Sequence, residues 1–517
     1  MANGVKYSTG STPAGCLRKG NMLLAVGQQD YGTSFYSGVN PPAGGYTIYV
    51  NKATSGPSIH CAQTDSELIR ITNQISGANY TTASQCFSYL ASQSDKIIVD
   101  FAHPDIPTSD LLLHLDANFT ASYPNTGTTW YDISGNSNDA LLANGPAWNS
   151  NGWFTLDGAD DRIRKASNIL TTRRGTVVMW VRTTDTTFLL VEGQTTGHYL
   201  GAIYVGSNWY DAACGQPSYY VDLNQSLNPN DEGYIDGRFH MIEVRDVDFS
   251  TWTTHQFLDY AGGGTFNMQG DVAKIQMYNR PLTDGESFQN YYGGAITTDG
   301  LALSVDGANI VSYAGTGSTW YDMSRNGYSV TNCNMQKSKN NYYSLWSNGN
   351  DADVTVSPIL NNDYHSVELL LMFKGSAAYP NGYTGGWEQF FGYFAGGTTD
   401  RSPGVWRFPS ARLIHWQYAP GYNGPNFGKN SANDEFDLNT YYHIVVTKEG
   451  GTVKTYINGV LTNTVGASNP KTAGDSNIRF FDYYSADLME IQVCRIYERT
   501  ISQDEVSLNY SAVKNRM

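Results

Sequence analysis

The sequence predicts a mainly β chain, with a small α+β domain followed by two sister β-sandwiches of jelly-roll type. Three observations predict it. Thr126–Asn136, Thr-Gly-Thr-Thr-Trp-Tyr-Asp-Ile-Ser-Gly-Asn, returns 190 residues later as Thr316–Asn326, Thr-Gly-Ser-Thr-Trp-Tyr-Asp-Met-Ser-Arg-Asn. Asp116 and Trp130 map to Asp306 and Trp320 at the same offset, so no net insertion separates them. A repeat this long is one whole domain per copy. The composition agrees: charged residues are 15%, aromatics 13%, and 53 Gly and 37 Tyr occur in 517 residues. Strands turned at glycine use such residues, and long solvated helices do not. Finally, short apolar or alternating runs bounded by Gly, Asn and Pro recur through most of the chain.

Residues 1–108 differ from the rest. Asn21-Met-Leu-Leu-Ala-Val26 and Tyr46-Thr-Ile-Tyr-Val50 read as strands, with the turn Pro41-Pro-Ala-Gly-Gly45 between them. The period then changes. Thr64-Asp-Ser-Glu67 resembles a capping box, and Leu68, Ile71 and Ile75 share one helical face. Thr82-Ala-Ser-Gln85 opens a second short helix, and Lys96-Ile-Ile-Val-Asp100 closes the domain as a strand. Pro104 and Pro107 mark a semi-rigid linker.

The first sandwich is expected over 109–295. Leu111-Leu-Leu-His-Leu-Asp116, Phe154-Thr-Leu-Asp157, Gly175-Thr-Val-Val-Met-Trp-Val181 and Arg238-Phe-His-Met-Ile-Glu-Val244 read as strands. Gln256-Phe-Leu-Asp259 and Ala273-Lys-Ile-Gln-Met-Tyr278 continue the series, and Thr283-Asp-Gly-Glu286 starts a closing helix. The second sandwich, 296–517, repeats the plan. Its pieces are Leu301-Ala-Leu-Ser-Val-Asp306, Val367–Phe373, Tyr442–Thr447, Lys454–Gly459 and Met489–Tyr497, then a helix from Ser502-Gln-Asp-Glu505.

Each copy resembles the laminin-G type of concanavalin A-like lectin/glucanase domain. The resemblance rests on Thr-Trp-Tyr-Asp-Ile-Ser-Gly-Asn at 129–136, Leu-Asp-Gly-Ala-Asp-Asp at 156–161 and Gln-Met-Tyr-Asn-Arg-Pro-Leu-Thr at 276–283. In the second copy it rests on Ser-Thr-Trp-Tyr-Asp at 318–322, Tyr-Tyr-His-Ile-Val-Val-Thr at 441–447 and Ile-Tyr-Glu-Arg at 496–499. That fold carries lectins, hydrolases and inert spacers, so it implies an architecture and not one activity. Gly44–Lys52 followed by Asp65–Asn73 is similar to the N-terminal region of structural proteins from large tailed bacteriophages. The implied protein is a non-enzymatic virion component, such as a capsid decoration or a neck or tail attachment. It would dock through residues 1–108, stand in many copies, and contact neighbouring virion proteins or host-surface glycans.

Charge and cysteines bound the partners. A net charge of −15 argues against a phosphate backbone. The six cysteines, Cys16, Cys61, Cys86, Cys214, Cys333 and Cys494, are too scattered for zinc or a disulfide framework. Free thiols are expected, with Cys61–Cys86 the one pair to check. The start, Met-Ala-Asn-Gly-Val-Lys-Tyr-Ser, lacks the apolar core of an export signal, and no run is apolar enough to span a bilayer. Production in a host cytoplasm and release inside a particle is the expectation.

No catalytic set is expected. A laminarinase-like site needs Glu-x-Asp-x-x-Glu on one strand face, and the nearest string, Glu435-Phe-Asp437-Leu-Asn-Thr440, ends on Thr in a loop. Asp157, Asp160 and Asp161 are the calcium candidates, against a reading as turn-capping side chains. No other cofactor is expected. Trp130 and Trp320 read as core residues, with Asp132 and Asp322 capping the turn beside them. Arg280 and Arg499 follow the last strand of each copy and are expected to lock the closing helix. His240 and His443 read as equivalent structural residues. Tyr219, Tyr220, Tyr379 and Tyr422 lie in Gly/Pro-rich stretches that read as exposed loops, and they are the ligand-contact candidates.

Overall fold

The computed structural model describes residues 106–517 apart from short stretches, chiefly 194–197, 203–209, 227–232, 259–265, 347–351, 356–359, 394–402, 418–425, 467–476 and 484–487. Residues 166, 171, 340–341, 361–362 and 383 are likewise outside the description. Before residue 106 it describes four strands and a few short pieces between them. The chain divides into two compact units, Met1–Gly293 and Gly294–Met517. It is mainly β and built of antiparallel sheets.

Among residues 1–105, Met22–Ala25, Lys96–Asp100, Tyr46–Val50 and Ser58–Ala62 form a four-stranded antiparallel sheet in that order. Ser58–Ala62 is a strand that the sequence reading passed over. Thr82 and Gln85 exchange caps: Gln85 N donates to Thr82 Oγ1 at 3.3 Å, and Thr82 N donates to Gln85 Oε1 at 3.2 Å. The helical positions Leu68, Ile71 and Ile75 lie outside the described residues. So does the side chain of Cys61, while Cys86 is buried.

The rest of the first unit is a β-sandwich. One sheet has Gly175–Thr183 at its centre, flanked by Phe239–Val247 and Gln269–Tyr278, with Leu111–Asp116 also paired to the latter. The other is seven-stranded and includes Leu189–Gly193, His255–Phe257, Arg162–Lys165 and Ala140–Ala143 side by side. Alternate residues of both sheets, such as Val177, Met179, Ile163 and Phe257, fill the core between them. The second unit repeats this plan with Tyr364–Phe373, Tyr441–Glu449 and Met489–Tyr497 in one sheet. Ala352–Thr355, Asn477–Tyr483 and Glu388–Tyr393 lie in the other.

The repeated turn is built from matching hydrogen bonds. Asp132 Oδ1 accepts from His114 N and Ser134 N, both at 2.9 Å, and Oδ2 accepts from Ser134 Oγ and Asn138 N, both at 2.8 Å. Asp322 does the same with Ser304 N at 2.9 Å, Ser324 N at 2.8 Å, Ser324 Oγ at 2.7 Å and Tyr328 N at 3.2 Å. Tyr123 donates to Gly127 O, and Tyr313 to Gly317 O, each at 3.0 Å. One carboxylate therefore ties the turn to the first strand of its sandwich. Burial raises the pKa of both aspartates, and the backbone donors oppose it. Asp322→Ala leaves backbone N–H groups without acceptors. It is expected to cost about 2–3 kcal/mol, read as a shift in the urea unfolding midpoint.

Each closing helix is fixed the same way. Thr283 and Glu286, and Ser502 and Glu505, form capping boxes at Asp284–Tyr292 and Gln503–Val513. Arg280 grips both oxygens of Glu286 at 2.8 and 2.6 Å, and Arg499 grips those of Glu505 at 3.0 and 2.5 Å. The arginine in each pair holds its glutamate at a pKa of about 2. Beneath the helix, Thr176 Oγ1 donates to Arg280 O at 2.8 Å and Ser366 Oγ to Arg499 O at 2.9 Å.

The two sandwiches differ at one sheet margin. In the first, Phe239–Val247 is flanked by Gly215–Val221 and Asn224–Ser226, which precede it in the chain. In the second, Tyr441–Glu449 is flanked by Thr452–Ile457 and Val460–Gly466, which follow it across the turn Gly450-Gly451 and are joined to each other by Asn458-Gly459. The strand His255–Phe257 lies in the opposite sheet, between Arg162–Lys165 and Leu189–Gly193, where the second unit has Asn477–Tyr483.

Candidate functional site

The sequence candidates fall into different places. Trp130 and Trp320 are wholly buried. Trp130 packs on Phe154 with ring centroids 4.8 Å apart. Asp157, Asp160 and Asp161 bring carboxylate oxygens within 4.8 Å of one another. Asp157 Oδ1 accepts from Ala159 N at 2.8 Å and Asp160 N at 3.3 Å, while Asp161 Oδ2 accepts from Asp157 N at 2.9 Å. The Ala159 amide lowers the pKa of Asp157, and burial raises that of Asp161. These oxygens act on a turn.

The tyrosine reading needs correction. Tyr219 is buried, in strand Gly215–Val221, with its hydroxyl bonded to Asp211. Tyr220 lies in the same strand under the guanidinium of Arg245, whose Cζ is 4.2 Å from the ring centroid. Gly215 and Pro217 look like loop residues, but the ladder to Phe239–Val247 shifts register between Gly215 and Ser218. A bulge accommodates a proline that regular pairing would exclude. Tyr379 is exposed, in the turn Ser376–Tyr379. Tyr422 lies outside the described residues.

The histidines are not equivalent. Val178 pairs with Glu243, and Glu368 with Val445, so His443 corresponds to Met241 and His240 to Tyr442. A one-residue slip puts the two rings on opposite faces of the sheet. His240 sits between Asp222 at 2.6 Å and Asp236 at 3.1 Å. Burial alone would depress its pKa, but the two carboxylates lift it from 6.5 to about 9. A raised histidine pKa contributes stability that is complete below pH 6.5 and lost as pH climbs through about 9. The stability gap between wild type and His240→Gln is therefore expected to narrow across that window, as followed by urea unfolding at a series of pH values.

Glu435 pairs with Arg412 at 2.6 Å, and Asp437 with Lys429 at 2.8 Å and the Tyr442 hydroxyl at 2.7 Å. Both lie in the loop before Tyr441–Glu449. The thiols of Cys214, Cys333 and Cys494 are buried and unbridged, and burial pushes Cys333 up to about 12.

A cleft that no motif pointed to lies on the outer face of the first sandwich's seven-stranded sheet. Register places Thr129, Leu141, Arg164, Gln256, Glu192 and Tyr199 in one row across six strands. The alternate row, Leu142, Ile163, Phe257, Val191 and Leu200, faces the core. The cleft has a volume of about 380 Å³ and is lined by Leu141, Arg164, Lys165, His255 and Gln256, with Asp139 at its margin. This is within the size range of small-molecule sites. Gln256 Nε2 donates to Glu192 at 3.3 Å, which orients the amide. His255 stacks on Trp252 with ring centroids 5.7 Å apart, and burial depresses its pKa to about 3, so it is neutral. The sequence signal was Arg162-Ile-Arg-Lys165, three cations around one core residue in a chain poor in cations.

Comparison with known proteins places the second sandwich. The concanavalin A-like lectin/glucanases superfamily matches residues 378–507, so the second unit carries a domain of that kind. Among solved structures, the chain is similar to the botulinum neurotoxin serotype D binding domain, at 17% identity and a TM-score of 0.33, over 41% of this chain and 52% of that one. It is similar to the binding domain of botulinum neurotoxin DC in complex with rat synaptotagmin II, at 14% identity and a TM-score of 0.33, over 42% and 52%. For the botulinum neurotoxin type G receptor binding domain the values are 16% and 0.32, over 41% and 51%. The chain thus spans about half the length of the structures it matches. No curated protein matches it.

Proposed function

We propose that this chain is a non-catalytic, lectin-like display protein, carried on the particle of a tailed phage. Its two sandwiches would meet neighbouring subunits or host-surface glycans, and residues 1–108 would anchor it among other virion proteins. The observation that carries the non-catalytic reading is how the acidic side chains are used. In the domain that matches the lectin/glucanase superfamily, Glu435 and Asp437 hold a loop through Arg412, Lys429 and Tyr442. A glycosidase needs two carboxylates facing one sugar across roughly 5–10 Å, free to exchange protons. The phage setting is supported by the resemblance of Gly44–Lys52 and Asp65–Asn73 to phage structural proteins.

The test has two arms. Incubating the full chain with bacterial surface polysaccharides is expected to release no reducing sugar. Release that Glu435→Gln abolished would establish the hydrolase instead. Purified phage particles probed with antibody against the chain are expected to be labelled at fixed positions, and particles that never carry it would end the virion reading. The cleft on the first sandwich favours a second emphasis, an adhesin in which glycan affinity is the function. Hits for the full chain on a glycan array would support it.

A further inference from the structure

We propose that the cleft on the first sandwich binds a saccharide through a sugar carboxylate, with Arg164 as its partner. The inference rests on the lectin-like reading above and names the ligand class for one site. It begins from a charge without a counterpart. In the same unit, Arg182 meets Asp271 at 2.8 Å, Arg280 meets Glu286 at 2.6 Å, and Arg245 meets Glu243 and Asp284. Arg164 is partly buried, and its Nε is shielded from solvent with no acceptor among the described residues. Asp139, the carboxylate in the cleft wall, is committed to the backbone N of Asp132 at 2.9 Å. A shielded guanidinium N–H without an acceptor is costly, and a planar carboxylate is the group that meets its fork. On the corresponding sheet of the second sandwich, Arg479 lies 3.3 Å from the Asp353 carboxylate, an ion pair that Arg164 lacks among the described residues.

The surrounding groups suit a sugar better than a bare anion. His255 Nδ1 accepts from Ile169 N at 3.4 Å, which leaves the proton on Nε2. That nitrogen is fully buried, and the ring packs on the core residues Phe249 and Trp252, so His255 shapes the floor of the cleft and is not counted among its donors. The Gln256 amide, held by Glu192, adds a polar edge one strand from Arg164. On the other side of Arg164, Leu141 is 50% exposed, an apolar platform for the C–H face of a pyranose ring. The protein carries −15 overall, so affinity for an acidic ligand must come from this local cationic pair, Arg164 and Lys165, against the general field.

The test uses the full chain on an array of neutral, sulfated and uronate- or sialate-bearing glycans, with free glucuronate as competitor. Carboxylated glycans are expected to bind and glucuronate to compete. Arg164→Gln should weaken them about tenfold while leaving the thermal midpoint in place, because no internal partner is lost. Leu141→Glu, a surface change that sets a rival carboxylate beside Arg164, should abolish binding. Binding confined to neutral glycans, or equal in Arg164→Gln, overturns the inference and leaves the lectin-like reading intact. Preference for sulfated over carboxylated glycans overturns the carboxylate assignment. No binding to any glycan overturns the inference and the adhesin emphasis together, and leaves a display protein whose sandwiches meet neighbouring subunits.

Discussion

Replacing Glu368 with valine is expected to destabilise the second unit by about 3–5 kcal/mol, the usual result of stranding one member of a buried ion pair. Glu368 is wholly buried beneath the closing helix. It accepts from Arg495 Nη1 at 2.5 Å, from Asn509 Nδ2 at 2.6 Å and from the Tyr497 hydroxyl at 3.4 Å, and lies 3.1 Å from His443 Nε2. Among the described residues, the variant leaves the Arg495 guanidinium with Asp306 as its carboxylate, 3.9 Å away. The first unit supplies the control. Its residues at the two places are Val178 and Gln276, and its buried carboxylate, Glu243, stands on the other member of the same cross-strand pair. Glu368→Val with Arg495→Gln is therefore expected to recover most of the loss, and a double-mutant cycle in urea reads the coupling. Burial pushes the Glu368 carboxyl up, but Arg495 and His443 outweigh it and hold it at about 2 instead of 4.5. A depressed carboxylate contributes stability in full above pH 4.5 and loses it as pH falls towards 2. The double variant should lose less stability over that range than wild type.

Trp130→Ala is expected to cost about 3–5 kcal/mol, the range for deleting a fully enclosed aromatic side chain. The indole is at 0% exposure, packed against Phe154 and within the cluster that joins the two sheets. Its Nε1 has no hydrogen-bond acceptor among the described residues. The loss is therefore one of packing, and Trp130→Phe should cost clearly less than Trp130→Ala. Equal effects of the two variants would show that the indole is held for something other than volume. Trp320 is enclosed to the same degree and should behave alike.

The fold was legible wherever the two copies share local chemistry. Trp-Tyr-Asp followed by Ser specifies its own turn, because Asp132 and Asp322 find their donors within a few residues and in the first strand. The arginine after each last strand and the capping box that follows are likewise close in sequence. What the sequence hid depends on pairing at a distance. His240 and His443 look matched until the ladder shows them one residue apart. Tyr219 sits among loop-forming residues, yet a bulge carries Pro217 past the sheet. Arg164 showed in the sequence only as one of three cations in Arg162–Lys165; that no carboxylate stands opposite it among the described residues is seen only in the register of three strands. The carboxylate that moves from Glu243 to Glu368 escaped notice for the same reason: each is ordinary in its own strand.

The margin strand drawn from upstream in one unit and downstream in the other has a consequence for how such chains diversify. A position that accepts a ribbon from either direction places little demand on which ribbon arrives. The central strands keep their partners whichever hairpin is laid against them. A foreign hairpin exchanged there for Thr452–Gly466 has only to match what this one gives its neighbours: the core side chains of Val453 and Ile457, and the Gly459 carbonyl that accepts from Gln503 Nε2 at 2.7 Å.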